Sequence, residues 1–196
     1  MHVYVGDMLK NFGCNVILNE NMAKHTTFKT GGSADIFCEC NTRSNAESAY
    51  CFLYENNIPF TVIGRGSNIL VSDKGYKGVI LKYYGDNYIK DIKNGVLHVG
   101  GGANAKTAVT YAIKKGYTGG EFAGAIPRSI GGHICMNAGC YGKEMKDIVL
   151  SVEGLIDGRK FFLDNGGCNF SYRQSLFYKK QCIITGAMLK LKEGDR

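Results

Sequence analysis

The sequence predicts an α+β fold in two lobes, residues 1–84 and 85–196. Three observations predict it. Segments that read as strands and helices do not alternate as a regular βαβ series, which argues against one parallel sheet. Two antiparallel hairpins are signalled by Asn94-Gly95 and Asp157-Gly158, each between apolar runs. The break between lobes falls near Tyr83 to Tyr88, just before the first of these hairpins.

Residues 1–24 are polar and carry no clear pattern beyond a short amphipathic segment. Ala34 to Cys40 reads as a strand entered through a turn at Gly31-Gly32. Ser44 and Glu47 have the S-x-x-E spacing of a capping box. Ala46, Ala49, Tyr50 and Leu53 then recur on one helical face, and Asn56-Asn57 with Pro59 ends that helix. FTVIG is a short buried strand running into the loop Gly64 to Val71, and GVILKYY is another strand. Residues Tyr88 to Lys93 and Val96 to Val99 form the first hairpin. Asn104 caps a second helix with Ala105, Ala108, Val109, Ala112 and Ile113 on its core face, and Gly116 terminates it. After a glycine-rich stretch, Ile148 to Ile156 and Arg159 to Leu163 form the second hairpin. The segment Phe170 to Ser175 is polar, aromatic and irregular, and Cys182 to Leu191 is the last strand.

Composition narrows the function classes. The 196 residues are 44% hydrophobic and 21% charged, in the range of a soluble globular protein with a real core. The net charge of +7 is spread over scattered lysines without a basic run, which favours an anionic small ligand over nucleic acid. No stretch approaches the apolar length that spans a membrane. MHVYVGDMLK lacks the basic start and apolar run of a secretory signal, so the eight cysteines are expected as reduced thiols in the cytoplasm. Cys38-x-Cys40 and Cys135…Cys140 are not metal-type pairs, and no metal site is expected.

Two loops carry the chemistry. From Gly100 to Gly142 the chain holds eleven of its 27 glycines, around a single Pro127. Such density suggests backbone amides held against a ligand, phosphate above all. The alternative is a tight turn between buried elements. The other loop, Gly64-Arg65-Gly66-Ser67-Asn68-Ile69-Leu70-Val71, follows a strand and offers backbone donors with Ser and Asn side chains. It lacks both GxGxxG and GK[ST], so it is neither a dinucleotide fingerprint nor a P-loop.

Four motifs in order, HTTFKTGG, GRGSNILV, GAIPRSIGGHICMNAGCYG and SYRQS, resemble the UDP-N-acetylenolpyruvoylglucosamine reductase family, from about His25 onward. The resemblance implies a two-lobed FAD-binding module of the vanillyl-alcohol-oxidase/p-cresol-methylhydroxylase type. It implies NADPH as hydride donor and UDP-N-acetylglucosamine enolpyruvate as the nucleotide-sugar substrate, in bacterial peptidoglycan synthesis and hence in cell-wall biogenesis, shape and division. Carried onto this chain, it assigns Gly64, Arg65, Gly66, Ser67, Asn68, Ile69 and Leu70 to the cofactor. It also assigns Gly124, Ala125, Ile126, Pro127, Ser129, Gly131, Gly132, Asn137, Ala138 and Gly139 to FAD. Their amides would face the pyrophosphate and the isoalloxazine edge. Arg173 matches the family's active-site arginine, which would grip the substrate carboxylate as negative charge develops on it.

The match has two departures. The family's third domain, with a serine proton donor and a late glutamate, has no counterpart in these residues, so a truncated or fragmentary reductase that keeps FAD binding is one expectation, a partner chain supplying the domain is another, and a flavin-binding protein without turnover is a third. Arg128 stands where the family usually has Gly, and His133 where it has a small residue. An arginine at 128 either occupies a backbone angle suited to glycine, projects into the flavin site, or pairs with the pyrophosphate. His98 and His133 are loose candidates for covalent flavin attachment in a related oxidase.

Overall fold

The computed structural model describes residues 2–194. They fall into two units, Met1–Gly85 and Asp86–Arg196.

The first unit begins with helix α1 (His2–Asn11) and strand β1 (Asn15–Asn21), where the sequence suggested only a short amphipathic segment. Val5, Gly6 and Leu9 are the buried positions of α1, too few for a pattern that stands out over ten residues. Strands β2 (Ser33–Cys40), β3 (Phe60–Ile63) and β4 (Tyr76–Tyr83) complete a sheet of order β1-β2-β4-β3. β1 is antiparallel to β2, whereas β4 runs parallel to both β2 and β3. β2 is internal, and Ile36, Phe37, Cys38 and Cys40 are buried on its two faces, as expected of a strand covered on both sides.

Helix α2 (Arg43–Glu55) connects β2 to β3 and buries Ala46, Ala49, Tyr50 and Leu53, the face its periodicity predicts. Truncating Leu53 to alanine in that face would cost about 2–5 kcal/mol. Its cap differs from the expected one. Thr42, not Ser44, accepts the N–H of Asn45 at 3.1 Å, and Glu47 pairs with Arg43. Both Thr42 and Ser44 suit the role chemically, and the chain leaves the extended conformation at Thr42, so the helix starts there.

The second unit holds a five-stranded antiparallel sheet. Its strands are β5 (Ile89–Lys93), β6 (Val96–Gly100), β10 (Val149–Ile156), β11 (Arg159–Asp164) and β12 (Cys182–Lys190), in the order β11-β10-β12-β6-β5. Both hairpins turn where expected, with Asn94, Gly95, Asp157 and Gly158 at positive φ. Two small pairs lie outside it: β7 (Tyr117–Thr118) with β13 (Lys192–Glu193), and β8 (Gly139–Cys140) with β9 (Lys143–Glu144). Helix α3 (Ala105–Lys114) is capped by Asn104 and buries Ala105, Ala108 and Ala112. Ile113, expected in the core, is 55% exposed because the helix is apolar beyond the width of its contact. Two short helices, α4 (Glu121–Gly124) and α5 (Ile130–Cys135), complete the unit. Its core gathers Leu97, Val99, Ile130, Ile134, Val152 and Leu189. No helix among the described residues is long and apolar enough to cross a membrane.

Candidate functional site

In the first unit the loop after β3 is built against the segment His25 to Gly32. Gly66 is buried at φ +67, and an added Cβ there would collide with the His25 carbonyl. Its own carbonyl accepts the Thr27 N–H at 3.0 Å. The HTTFKTGG motif therefore backs the loop. His25 is fixed in turn: its ring stacks on Phe37 with centroids 3.9 Å apart, and its Nε2–H donates to Glu20 at 2.9 Å. That hydrogen bond holds the Glu20 carboxyl below its ordinary range.

Among the described residues, the backbone N–H groups of Arg65, Gly66, Ser67, Asn68, Ile69 and Leu70 donate to no protein acceptor. A consecutive run of unpaired amides in a glycine-containing turn is an anion-binding concavity. It suits the pyrophosphate of a dinucleotide, which accepts several N–H bonds at once. Leu70 is 77% exposed, an apolar flank to the same loop. Gly64 links it to β3 and is half-buried.

The glycine-rich stretch of the second unit behaves differently, and here the expected amide lining is not found. Amides of Ala125, Ile126, Arg128, Ile130, Gly131, His133, Asn137 and Ala138 all donate to backbone carbonyls of the same unit. Gly132 donates to Ser129 Oγ at 3.2 Å, the N-cap bond of α5. Short helical turns consume these donors, and the glycines serve close packing instead. A Cβ on Gly131 would lie 3.2 Å from the Gly101 carbonyl, and one on Gly139 would collide with the Lys143 carbonyl. Gly124 closes α4 against Val109, followed by exposed Ala125 and Pro127, with Ile126 half-buried between them.

What remains available is narrower. Asn104 and Ser129 face each other as an isolated antiparallel bridge, closed by Ala105 N–H to Arg128 and Ile130 N–H to Ala103. Among the described residues the amides of Gly102, Asn104 and Ser129 have no protein acceptor. In the sequence Asn104 reads only as a helix cap, and Gly102 only as one glycine of the run that begins at Gly100. The signal that points to them is the Gly100-Gly101-Gly102 run, which leads into Asn104, the bridge partner of Ser129.

Arg173 sits at φ +56 in a two-residue turn closed by reciprocal bonds between Ser171 and Gln174. Its guanidinium lies over the Tyr172 ring at 5.6 Å. Asn137 holds this turn. Fully buried, it donates through Nδ2 to the Ser171 carbonyl at 2.9 Å and to Glu144 at 3.0 Å, and accepts the Lys146 N–H at 3.0 Å. Its side chain is thus occupied within the protein, in a supporting role.

Arg128 is half-buried, and burial followed by the nearby Arg173 charge lowers its affinity for a proton. Its φ lies outside the left-handed region, so the arginine needs no glycine-like backbone there. Among the described residues neither arginine pairs with a carboxylate. Two guanidiniums in mutual electrostatic reach without an acidic partner favour an anion between or beside them. His133, five residues on, is fully buried. It donates through Nδ1 to the Ser129 carbonyl at 3.0 Å, while Nε2 has no hydrogen-bond partner among the described residues. Burial pushes it down to about 4, so it is neutral at pH 7.

The comparisons bear on this geometry. The model of the FAD binding domain matches residues 34–158. The UDP-N-acetylenolpyruvoylglucosamine reductase of Anoxybacillus flavithermus is 41% identical over 182 residues, covering 90% of this chain and 59% of that one. The chain thus spans about three fifths of the curated relatives it matches. The crystal structure of the reductase from Thermus caldophilus superposes with a TM-score of 0.76 at 31% identity, over 93% of this chain and 63% of that one. A BBE-like protein of Physcomitrella patens superposes with a TM-score of 0.69 at 15% identity, over 96% of this chain and 44% of that one, a likeness of fold alone. The fold is the α+β FAD module shared by the reductases and the vanillyl-alcohol-oxidase-type flavoproteins. With the family model covering more than half its residues, the chain belongs to the FAD binding domain family.

Proposed function

We propose that this chain is the FAD-holding part of a UDP-N-acetylenolpyruvoylglucosamine reductase. It would serve the NADPH-dependent reduction of UDP-N-acetylglucosamine enolpyruvate to UDP-N-acetylmuramate. The observation that carries this reading is the uncompensated arginine pair, Arg173 and Arg128, in a chain 41% identical to such a reductase. FAD, when bound, would carry the hydride from NADPH to the enolpyruvyl double bond.

The remaining steps fall to the protein. The amides of Arg65 to Leu70 would hold the pyrophosphate. Ser129, with Gly102 and Asn104, would offer donors to the cofactor from the second unit. Arg173 would grip the substrate carboxylate in a fork, where negative charge grows as the double bond is reduced. Loss of one such preorganised donor costs about a hundredfold to a thousandfold in rate. The stacking of Arg173 on Tyr172 orients the guanidinium before substrate arrives. The relatives are longer than this chain, and the proton donor and the grip on the uridine diphosphate are assigned to none of its residues.

The test is NADPH oxidation that depends on the enolpyruvyl substrate, with Arg173→Ala beside the native chain. Where the native chain needs a partner polypeptide for turnover, the assay includes it. Retained FAD with loss of substrate-dependent oxidation supports the role of Arg173. Loss of FAD from that variant would show that Arg173 serves the cofactor instead.

A further inference from the structure

We propose that Cys14, Cys38 and Cys40 form a three-sulfur site for a soft monovalent ion, Cu(I) being the first-row ion that suits it. No spacing motif links them, because Cys14 immediately precedes β1 and the other two lie on β2. The register of the pair brings them together. Asn15 faces Glu39 across the antiparallel ladder, so Cys14, one residue before, comes beside Cys40. Cys38 and Cys40, two apart on one strand, point to the same side.

The sulfurs are already close. Cys14 Sγ lies 3.5 Å from Cys40 Sγ, Cys38 Sγ lies 4.0 Å from Cys40 Sγ, and all three fall within 4.8 Å of one another. Three sulfurs each about 2.3 Å from one ion would stand about 4 Å apart. The site therefore needs little rearrangement. It is also firmly built. Cys38 and Cys40 are fully buried and Cys14 is 7% exposed. Asn45 on α2 donates to the Gly13 carbonyl at 2.8 Å and fixes the approach to Cys14.

The donor set selects the ion. Soft thiolates favour Cu(I) and zinc among common metals. Zinc takes four ligands in a structural site. No fourth His, Cys, Asp or Glu atom joins this cluster among the described residues. A three-coordinate soft ion fits, and a tetrahedral one is left short. As each sulfur–copper bond forms, the thiol that supplies it releases its proton to solvent, and no electron is transferred.

The experiment is an anaerobic titration of the reduced full chain with Cu(I) against a competing Cu(I) chelator, followed by X-ray absorption at the copper edge. The expected result is one tight ion per chain with three sulfur neighbours. Cys38→Ser and Cys14→Ser should weaken it on the order of a hundredfold or more, above the range for outer-shell partners. Cys51→Ser and Cys140→Ser should leave it unchanged. Zn(II) should bind more weakly than Cu(I) under the same conditions. Two or fewer sulfur neighbours in the native chain, which needs no variant to fold, would overturn the proposal. Affinity that follows Cys51 or Cys140, or equal affinity for Zn(II), would overturn it too.

Discussion

Asn137 donates its side-chain N–H to the carbonyl of Ser171 at 2.9 Å and so ties the glycine-rich stretch to the turn that presents Arg173. The two residues are 34 positions apart in sequence. Asn137 adopts φ +41, an angle asparagine tolerates better than most residues, and its remaining groups engage Glu144 and Lys146. Asn137→Ala strips partners from three groups at once. It is expected to cost about 1–3 kcal/mol in urea unfolding and to raise KM for the enolpyruvyl substrate more than it affects FAD binding. Unchanged stability would show that water replaces these bonds freely.

Gly66 bears on the cofactor loop. Its left-handed backbone and its contact with the His25 carbonyl leave no room for a methyl group. Gly66→Ala should therefore displace the loop and weaken FAD binding at least about tenfold, alongside about 1–2 kcal/mol of backbone strain. Fluorescence titration with FAD measures it. Unaltered affinity would mean that the amides of Arg65 to Leu70 do not hold the cofactor.

Arg128 gives a prediction of sign. Among the described residues it has no acidic partner, so an anion completes it, and no backbone strain awaits relief. Arg128→Gly should weaken FAD binding about tenfold, the scale of one charge-assisted hydrogen bond, and reduce its dependence on salt. Tighter binding in the variant would show that the side chain obstructs the site.

His133 predicts a pH dependence of stability. Its folded pKa is lowered to about 4 by burial, from 6.5 for the free side chain. Between those values the unfolded chain binds a proton that the folded chain does not. Stability therefore declines as pH falls from about 6.5 toward 4, by roughly 3 kcal/mol in all. Denaturant melts of His133→Gln should lack this slope above pH 5, where the lowered carboxyls Glu20, Glu39, Glu121 and Glu144 remain ionised. A slope equal to the native one would assign the effect elsewhere.

Much of the fold was legible where local chemistry decides it. The buried face of α2, the Asn104 cap of α3 and the turns at Asn94-Gly95 and Asp157-Gly158 depend on neighbours in sequence. α1 and β1 were not legible, because β1 buries little beyond Glu20 and α1 buries few positions. The Cys14–Cys38–Cys40 cluster was hidden with them, since its first member precedes β1. In the candidate site, residue types were readable but donor directions were not. Glycines in 124–139 suggested open amides, yet α5 and the Asn104–Ser129 bridge close most of them, while Arg65 to Leu70 stay open. Whether an amide is free depends on which carbonyls the fold brings near it.

The most direct measurement is an absorbance spectrum of the purified chain after incubation with FAD and removal of the excess, followed by anaerobic addition of NADPH. A retained flavin spectrum that bleaches with NADPH is expected. A colourless chain that FAD cannot reconstitute would contradict it.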